Sequence, residues 1–130
     1  MANTLTLQKL ADNTRNAIVH VYMASDGVAG ELSDSIVVDV SDLTGSPSTV
    51  SIVRVEAALT GFSAVLEWDA TTDVPFLAVP AENPVSHNWS DFGGLKNNAG
   101  AGVTGDILIT TSGFSAAGDR GHITFWLKKS

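Results

Sequence analysis

Residues 90–113 read SDFGGLKNNAGAGVTGDILITTSG, a glycine-rich loop that runs directly into a β-branched segment. Gly100, Gly102 and Gly105 have the GxGxxG spacing with which dinucleotide-binding folds bring their backbone close to a pyrophosphate. In those folds a strand precedes the glycines and a helix follows them, whereas residues 107–111 here have the composition of a strand. The stretch therefore predicts a shaped surface loop that leads into a strand, and it argues against a nucleotide site.

The conformation of this loop depends on residues that tolerate the left-handed region. Glycine reaches positive φ without steric cost, and Asn97 and Asn98 tolerate that region better than most residues. We expect positive φ at Gly105 in particular. A β-branched residue at that position is then expected to impair folding or assembly.

Outward from the loop, alternating apolar and polar residues predict strands along most of the chain. Seven segments show this pattern, at residues 17–23, 36–40, 50–59, 62–69, 74–79, 107–111 and 122–128, and residues 4–10 could add an eighth. There is no amphipathic helical pattern and no repeat of fixed period. Because a sheet with an apolar face must bury it, we predict an all-β fold, a two-sheet antiparallel β-sandwich of seven or eight strands, of which the jelly roll is one arrangement.

Three local features refine this prediction. The single turn at Thr60 and Gly61 favours a hairpin between residues 50–59 and 62–69. Within residues 50–59, the face that carries Ser51, Val53, Val55, Ala57 and Leu59 is expected to be core. Pro75 and Pro80 bracket residues 74–79, which therefore belong at a sheet edge or cross between sheets.

The 130 residues fit a single domain, with residues 1–13 as an N-terminal arm or short strand and residues 14–130 as the sandwich. The chain has no cysteine, so no disulfide, thiolate nucleophile or cysteine metal site is available. A formal charge of −7 argues against nucleic acid as a partner. No apolar run approaches the roughly 18 residues that span a bilayer, and the N-terminus lacks the apolar core of a secretion signal, so we expect no membrane partner.

Few residues suggest chemistry. Glu67 and Asp69 would lie about 7 Å apart on one strand face. That distance suits a glycosidase, but two neighbours on a flat strand do not flank a bond in a cleft. The three histidines, His20, His87 and His122, lack the clustered spacing of a zinc site. We therefore predict no catalytic residue, no cofactor and no metal.

The acidic interval at residues 26–42 contains five acids and no base, and it predicts a solvated face or a docking surface for a basic partner. Trp89 and Phe92, in an irregular segment at residues 80–92, are candidates either for an interface anchor or for a cover of the core. Tyr22 and Trp126 are expected to point outward from their strands. A carbohydrate-binding module would use such a row of outward aromatic rings, so that alternative stays open.

Four blocks of the chain resemble small virion structural proteins of tailed bacteriophages. They lie at residues 14–21 (TRNAIVHV), 64–71 (AVLEWDAT), 92–113 (FGGLKNNAGAGVTGDILITTSG) and 122–129 (HITFWLKK). The most specific element is the series GGL, NNAGAG and TGDI at residues 93–107. The resemblance covers most of the chain from residue 14 onward.

The resemblance implies a non-enzymatic place in the particle, with a capsid decoration or cement protein on the head exterior as the favoured role. It implies synthesis in the host bacterial cytoplasm, and it implies as partners the major capsid protein and copies of the chain itself, with a trimer favoured. A tail subunit or a head-to-tail connector is the alternative within the virion. We expect the contacts to involve the N-terminal segment, the loop at residues 89–98 and one outward aromatic ring, with these candidate residues: Leu5, Leu7, Trp89, Phe92, Leu95, Asn97, Asn98 and Trp126.

Overall fold

A computed structural model of the chain describes residues 3–28 and 30–129. These residues form nine strands and two short 3-10 turns, at Val40–Asp42 and Ser90–Phe92. The strands are β1 (Thr4–Asp12), β2 (Asn16–Ala24), β3 (Ser35–Val38), β4 (Val50–Thr60), β5 (Ser63–Trp68), β6 (Val74–Val79), β7 (Val85–Asn88), β8 (Ile107–Ser112) and β9 (Arg120–Lys129).

The strands form two antiparallel sheets with the orders β1-β2-β9-β4-β7 and β3-β8-β5-β6. In the run from β2 to β9, the first strand pairs with the last, the second with the second to last, and so on inward. The pairs are β2 with β9, β3 with β8, β4 with β7 and β5 with β6. Successive pairs alternate between the two sheets, so the chain is one long antiparallel ribbon wound around a core. This winding is a jelly roll. The predicted two-sheet antiparallel sandwich is confirmed, with nine strands among the described residues rather than seven or eight.

The core lies between the sheets and follows from the alternation along each strand. In β9, Ile123, Phe125 and Leu127 point inward and are almost fully buried, while the residues between them face outward. The largest buried ring is that of Trp68, which stacks on Phe76 with their ring centroids 4.4 Å apart. Full burial of a side chain of this size contributes about 2–3 kcal/mol.

The predicted core face of β4 is wrong at one position. Ile52 is fully buried and Val53 only half-buried, because the pairing of β4 with β9 shifts between Ile52 and Arg54. A bulge places one extra residue in the strand and exchanges the two faces beyond it. Ser51 is buried too, but Gly94 packs directly against it.

The predicted hairpin between β4 and β5 is also wrong. The two strands belong to different sheets, so the connection through Gly61 crosses from one sheet to the other. Leu59 and Phe62 are both buried, and a left-handed Gly61 with φ of 86° between them turns the chain over the end of the core. A short turn is as compatible with this corner as with a hairpin.

The two edge strands of the five-stranded sheet were predicted from the sequence only in part or not at all. At one end, residues 4–12 of the expected arm form the continuous strand β1, while Met1 and Ala2 lie outside the described residues. At the other end, β7 forms where an irregular segment was predicted. The predicted edge position of residues 74–79 is confirmed, since β6 ends the four-stranded sheet.

Candidate interaction surfaces

The β1 edge is the free side of the first strand of the five-stranded sheet. Leu7 and Leu10 are 41% and 54% exposed, whereas Leu5 is half-buried and packs against the core. The inner side of Leu7 lines a small cavity of about 50 Å³ with Val19 and Leu43 among its walls. β1 is therefore held in the sheet, yet it leaves apolar side chains and an unpaired strand edge at the surface.

An ion pair fixes the end of β1 to the C-terminal strand. Lys129 Nζ donates to the carboxylate of Asp12, to the carbonyl of Asn13 and, over 2.9 Å, to the carbonyl of Thr44. Partial burial acts to raise the pKa of Asp12, but the hydrogen bonds from Lys129 and from the Thr44 N–H outweigh it and hold the pKa below its usual value. The pair is a structural anchor, with only 5% and 13% of the two side chains exposed.

The 89–98 loop lies at the opposite end of the same sheet. Trp89 packs against the core and stacks on His87 with ring centroids 5.3 Å apart, so it is chiefly a cover. Leu95 is half-buried and forms a two-hydrogen-bond bridge with Ile52 of β4. Phe92, in contrast, is 81% exposed at the 3-10 turn and makes an exposed apolar tip.

Asn97 and Asn98 have unequal roles in this loop. Asn97 is half-buried, and its Oδ1 accepts a hydrogen bond from the Ala99 N–H, whereas Asn98 is exposed. Positive φ falls on the glycines: Gly93, Gly94, Gly102 and Gly105 have φ values of 75°, 95°, 78° and 91°. Neither Asn97 nor Asn98 has a positive φ, so the left-handed positions of the loop fall on its glycines.

Gly102 and Gly105 allow close packing of the loop, whereas a Cβ at Gly100 would meet no atom within 4 Å. A Cβ at Gly102 would overlap the hydroxyl of Thr71, and one at Gly105 would overlap the carbonyl of Ser48. The predicted positive φ at Gly105 is thus confirmed. The strand β8 follows directly, where a nucleotide-binding loop would open a helix.

The outer face of the five-stranded sheet brings together several rings that the sequence separates. Tyr22 pairs across the sheet with His122, and the ring of His20 stacks on that of His122 with centroids 5.7 Å apart. Further along β9, the guanidinium of Arg54 lies 5.0 Å from the ring centroid of Trp126. The predicted outward direction of Tyr22 and Trp126 is confirmed, while the contacts with His20 and Arg54 depend on strand order that the sequence did not reveal.

The outer face of the four-stranded sheet carries acids. Asp34, Glu67 and Asp73 have carboxylate oxygens within 4.8 Å of one another, and the Thr110 hydroxyl lies 2.8 Å from Glu67 and 3.1 Å from Asp34. Burial raises the pKa of Glu67, the Thr110 hydrogen bond opposes this, and the two aspartates add to the rise. Oxygen ligands of this kind suit a hard divalent cation.

The sequence-based pairing of Glu67 with Asp69 does not describe this cluster. Asp69 lies beyond the end of β5 and accepts a hydrogen bond from the Thr104 hydroxyl over 2.7 Å. The acids of residues 26–42 also differ from a plain solvated face. Glu31, for example, accepts hydrogen bonds from the Thr111 hydroxyl and from the N–H groups of Gly113 and Phe114, which lowers the pKa of its carboxyl group.

The structure thus divides the predicted interface residues among three places. Leu5 and Leu7 lie at the β1 edge, residues 89–98 lie at the opposite end of the sheet, and Trp126 lies on the face between them. Comparisons with protein-family models, with curated proteins and with solved structures give no significant match. Among the described residues, no helix is long and apolar enough to cross a membrane.

Proposed function

We propose that the chain is a non-enzymatic structural subunit of a tailed-phage virion, a decoration protein that binds the assembled head and stabilises its lattice. The proposal starts from the resemblance at residues 14–21, 64–71, 92–113 and 122–129. The jelly roll is compatible with it, since viral capsid domains are among the proteins built on this fold. Lectins and other proteins use the fold as well, so this support is by analogy.

The observation that carries the proposal is the apolar β1 edge. Natural proteins usually protect a long edge strand with charges, prolines or a covering element. Here a nine-residue edge strand leaves Leu7 and Leu10 partly exposed, and its only cationic side chain, Lys9, is directed to the carbonyl of Asp42. An edge of this kind suits a strand that pairs with, or packs against, a neighbouring subunit.

The two ends of the five-stranded sheet suggest how copies would associate. The β1 edge of one copy would meet β7 and the 89–98 loop of the next, so that Leu10 lies near the exposed ring of Phe92. Such a head-to-tail contact uses two different patches and closes into a ring when the rotation allows it. A trimer on a threefold position of the head is the assembly we propose, with the major capsid protein beneath it.

A point substitution tests the β1 edge without removing a strand from the sheet. Burial of the exposed half of Leu10 contributes about 1 kcal/mol per contact, so Leu10→Lys should reduce affinity roughly fivefold or more. Val28→Lys is the control, because Val28 is 83% exposed on the loop after β2, at the opposite end of β1 from Leu10. The measurements are the mass of the purified protein by light scattering and its copies per particle by gel densitometry.

The proposal predicts high copy number for the parent and the control, and reduced mass and occupancy for Leu10→Lys. Equal occupancy of all three proteins would exclude the β1 edge as the contact. A few copies per particle would instead favour the tail or connector alternative.

A further inference from the structure

The charge of the chain is distributed unevenly between the outer faces of its two sheets. Outward positions of the five-stranded sheet carry the bases Arg54, Arg120 and Lys128 and one acid, Glu56. The chain as a whole has a formal charge of −7. We call this outer surface the basic face, and its excess of bases favours an anionic partner.

One end of the basic face also contains a depression large enough to hold a small group. Tyr22, Ala58, Thr60, Arg120, Gly121 and His122 line an open depression of about 260 Å³. Its lining includes the small side chain of Ala58, which pairs across the sheet with His122, and the ring of Tyr22 is 40% exposed on the other side of His122. An open depression beside the neighbouring exposed side chains of Tyr22 and His122 suits a flat, ring-shaped group better than a compact ion.

A second aromatic position lies further along the same face. Tyr22 is level with His122, and Trp126 follows four residues later on β9, which puts the two aromatic side chains about 13 Å apart. The guanidinium of Arg54 lies over the ring of Trp126 and also pairs with Glu56. A partner that used both positions would have to be an extended chain of rings.

We propose that the basic face binds an acidic polysaccharide. In this assignment the rings of Tyr22 and His122 stack on a sugar, and Arg120 pairs with a sugar carboxylate at the rim of the depression. Hydroxyl groups of the sugar find partners in Thr60 and in the Thr124 hydroxyl, which lies 2.9 Å from His20 Nδ1. Charge, ring contacts and an open-ended depression together favour a polyanionic glycan over a neutral one.

Nucleic acid is a poorer candidate for this face. The few bases here are outnumbered by the acids of the rest of the chain, so long-range attraction to a polyphosphate is weak. An oligosaccharide can bind largely through ring stacking and hydrogen bonds to its hydroxyl groups, so its binding depends less on the number of bases than the binding of nucleic acid does. The inference uses neither the β1 edge nor the 89–98 loop, so it stands or fails independently of the proposed capsid contact.

The test is a binding titration of the full chain with oligogalacturonate, with dextran as the neutral carbohydrate. The informative variants are Tyr22→Ala and Arg120→Gln, both at outward positions away from the core. Their controls are Val103→Ala, which shortens another exposed apolar side chain, and Lys96→Gln, which removes another exposed positive charge. Circular dichroism confirms that each variant is folded.

Tyr22→Ala and Arg120→Gln should each weaken oligogalacturonate binding about tenfold, whereas the two controls should stay within about twofold. Binding should weaken as salt rises, and dextran should bind far less. Absence of oligogalacturonate binding, or equal losses in all four variants, would overturn the proposal. Loss of particle occupancy by Tyr22→Ala without any glycan binding would also overturn it, because the face would then serve a protein partner.

Discussion

Replacement of Gly105 by alanine tests the structural reason for the glycine-rich loop. Gly105 is buried and has φ of 91°, a conformation that residues with a Cβ rarely adopt. An added Cβ would overlap the carbonyl oxygen of Ser48 and would approach Val40 Cγ2 to 3.2 Å. The backbone of Ser48 would have to move, because it cannot rotate away as a flexible side chain could.

Two costs add in this variant. The left-handed conformation costs a non-glycine residue about 1–3 kcal/mol, and displacement of packed neighbours costs about 1–3 kcal/mol more. The expected loss is therefore about 2–6 kcal/mol, a large share of the roughly 5–15 kcal/mol that stabilises a typical domain. For a chain of this length, each kcal/mol of lost stability lowers the Tm by about 4 °C, so the Tm should fall by about 8–24 °C.

The assay is urea and thermal unfolding of the purified protein, followed by the fluorescence of its tryptophans. Gly100→Ala is the matched control, since its φ is not positive and no atom lies within 4 Å of the added Cβ. That control should change the stability by less than about 0.5 kcal/mol. Equal stability of the Gly105 and Gly100 variants would refute the account of the loop. The valine variant, with its branched side chain, should be worse than alanine at residue 105.

Three further predictions concern charged groups. Lys129→Met removes the cation beside the half-buried carboxylate of Asp12 and the donor to the carbonyl of Thr44, so it should cost about 2–3 kcal/mol in urea unfolding at pH 7. A loss below about 0.5 kcal/mol would show that the pair is not an anchor. The pKa of Asp12 is lowered in the folded state. The stability that its carboxylate contributes is therefore present above the unfolded-state pKa and is lost as the pH falls through the folded-state pKa. Asp12→Asn should thus flatten the acid side of a plot of unfolding free energy against pH. Burial, with repulsion from Asp34 and Asp73, raises the pKa of Glu67, so stability is lost as the pH rises through its folded-state pKa. Glu67→Gln should therefore stabilise the protein by about 0.5–1 kcal/mol at pH 7 and by less at pH 4. An equal effect at both pH values would contradict the ionisation of Glu67 as the cause.

The sequence predicted best what depends on neighbouring residues along one strand. In β9 the alternation of Ile123, Phe125 and Leu127 with polar residues was sufficient to predict a strand and its inward face. The prolines of residues 74–80 were sufficient to predict a sheet edge, since a proline lacks the N–H that an inner strand must donate. The need for glycine at residue 105 was also visible, because it follows a run of turn-forming residues.

Prediction failed where pairing decided the structure. β7 has one apolar residue, Val85, and exists because the edge of β4 supplies its hydrogen bonds. The bulge at Val53 is a mismatch between two strands, so neither strand encodes it alone. The candidate surfaces have the same origin: His20 and His122 are about a hundred residues apart in sequence, and Arg54 meets Trp126 only because β4 and β9 are neighbours.

The sequence by itself thus determined the all-β class, the inward faces of most strands and the glycine-dependent loop. Only the tertiary structure decided the jelly-roll winding, the open β1 edge and the separation of a basic face from an acidic one. The physical reason is that alternation and φ preference are properties of a single segment. Strand order depends on hydrogen bonds between segments, and any two strands of similar pattern can make those bonds equally well until the whole core is packed.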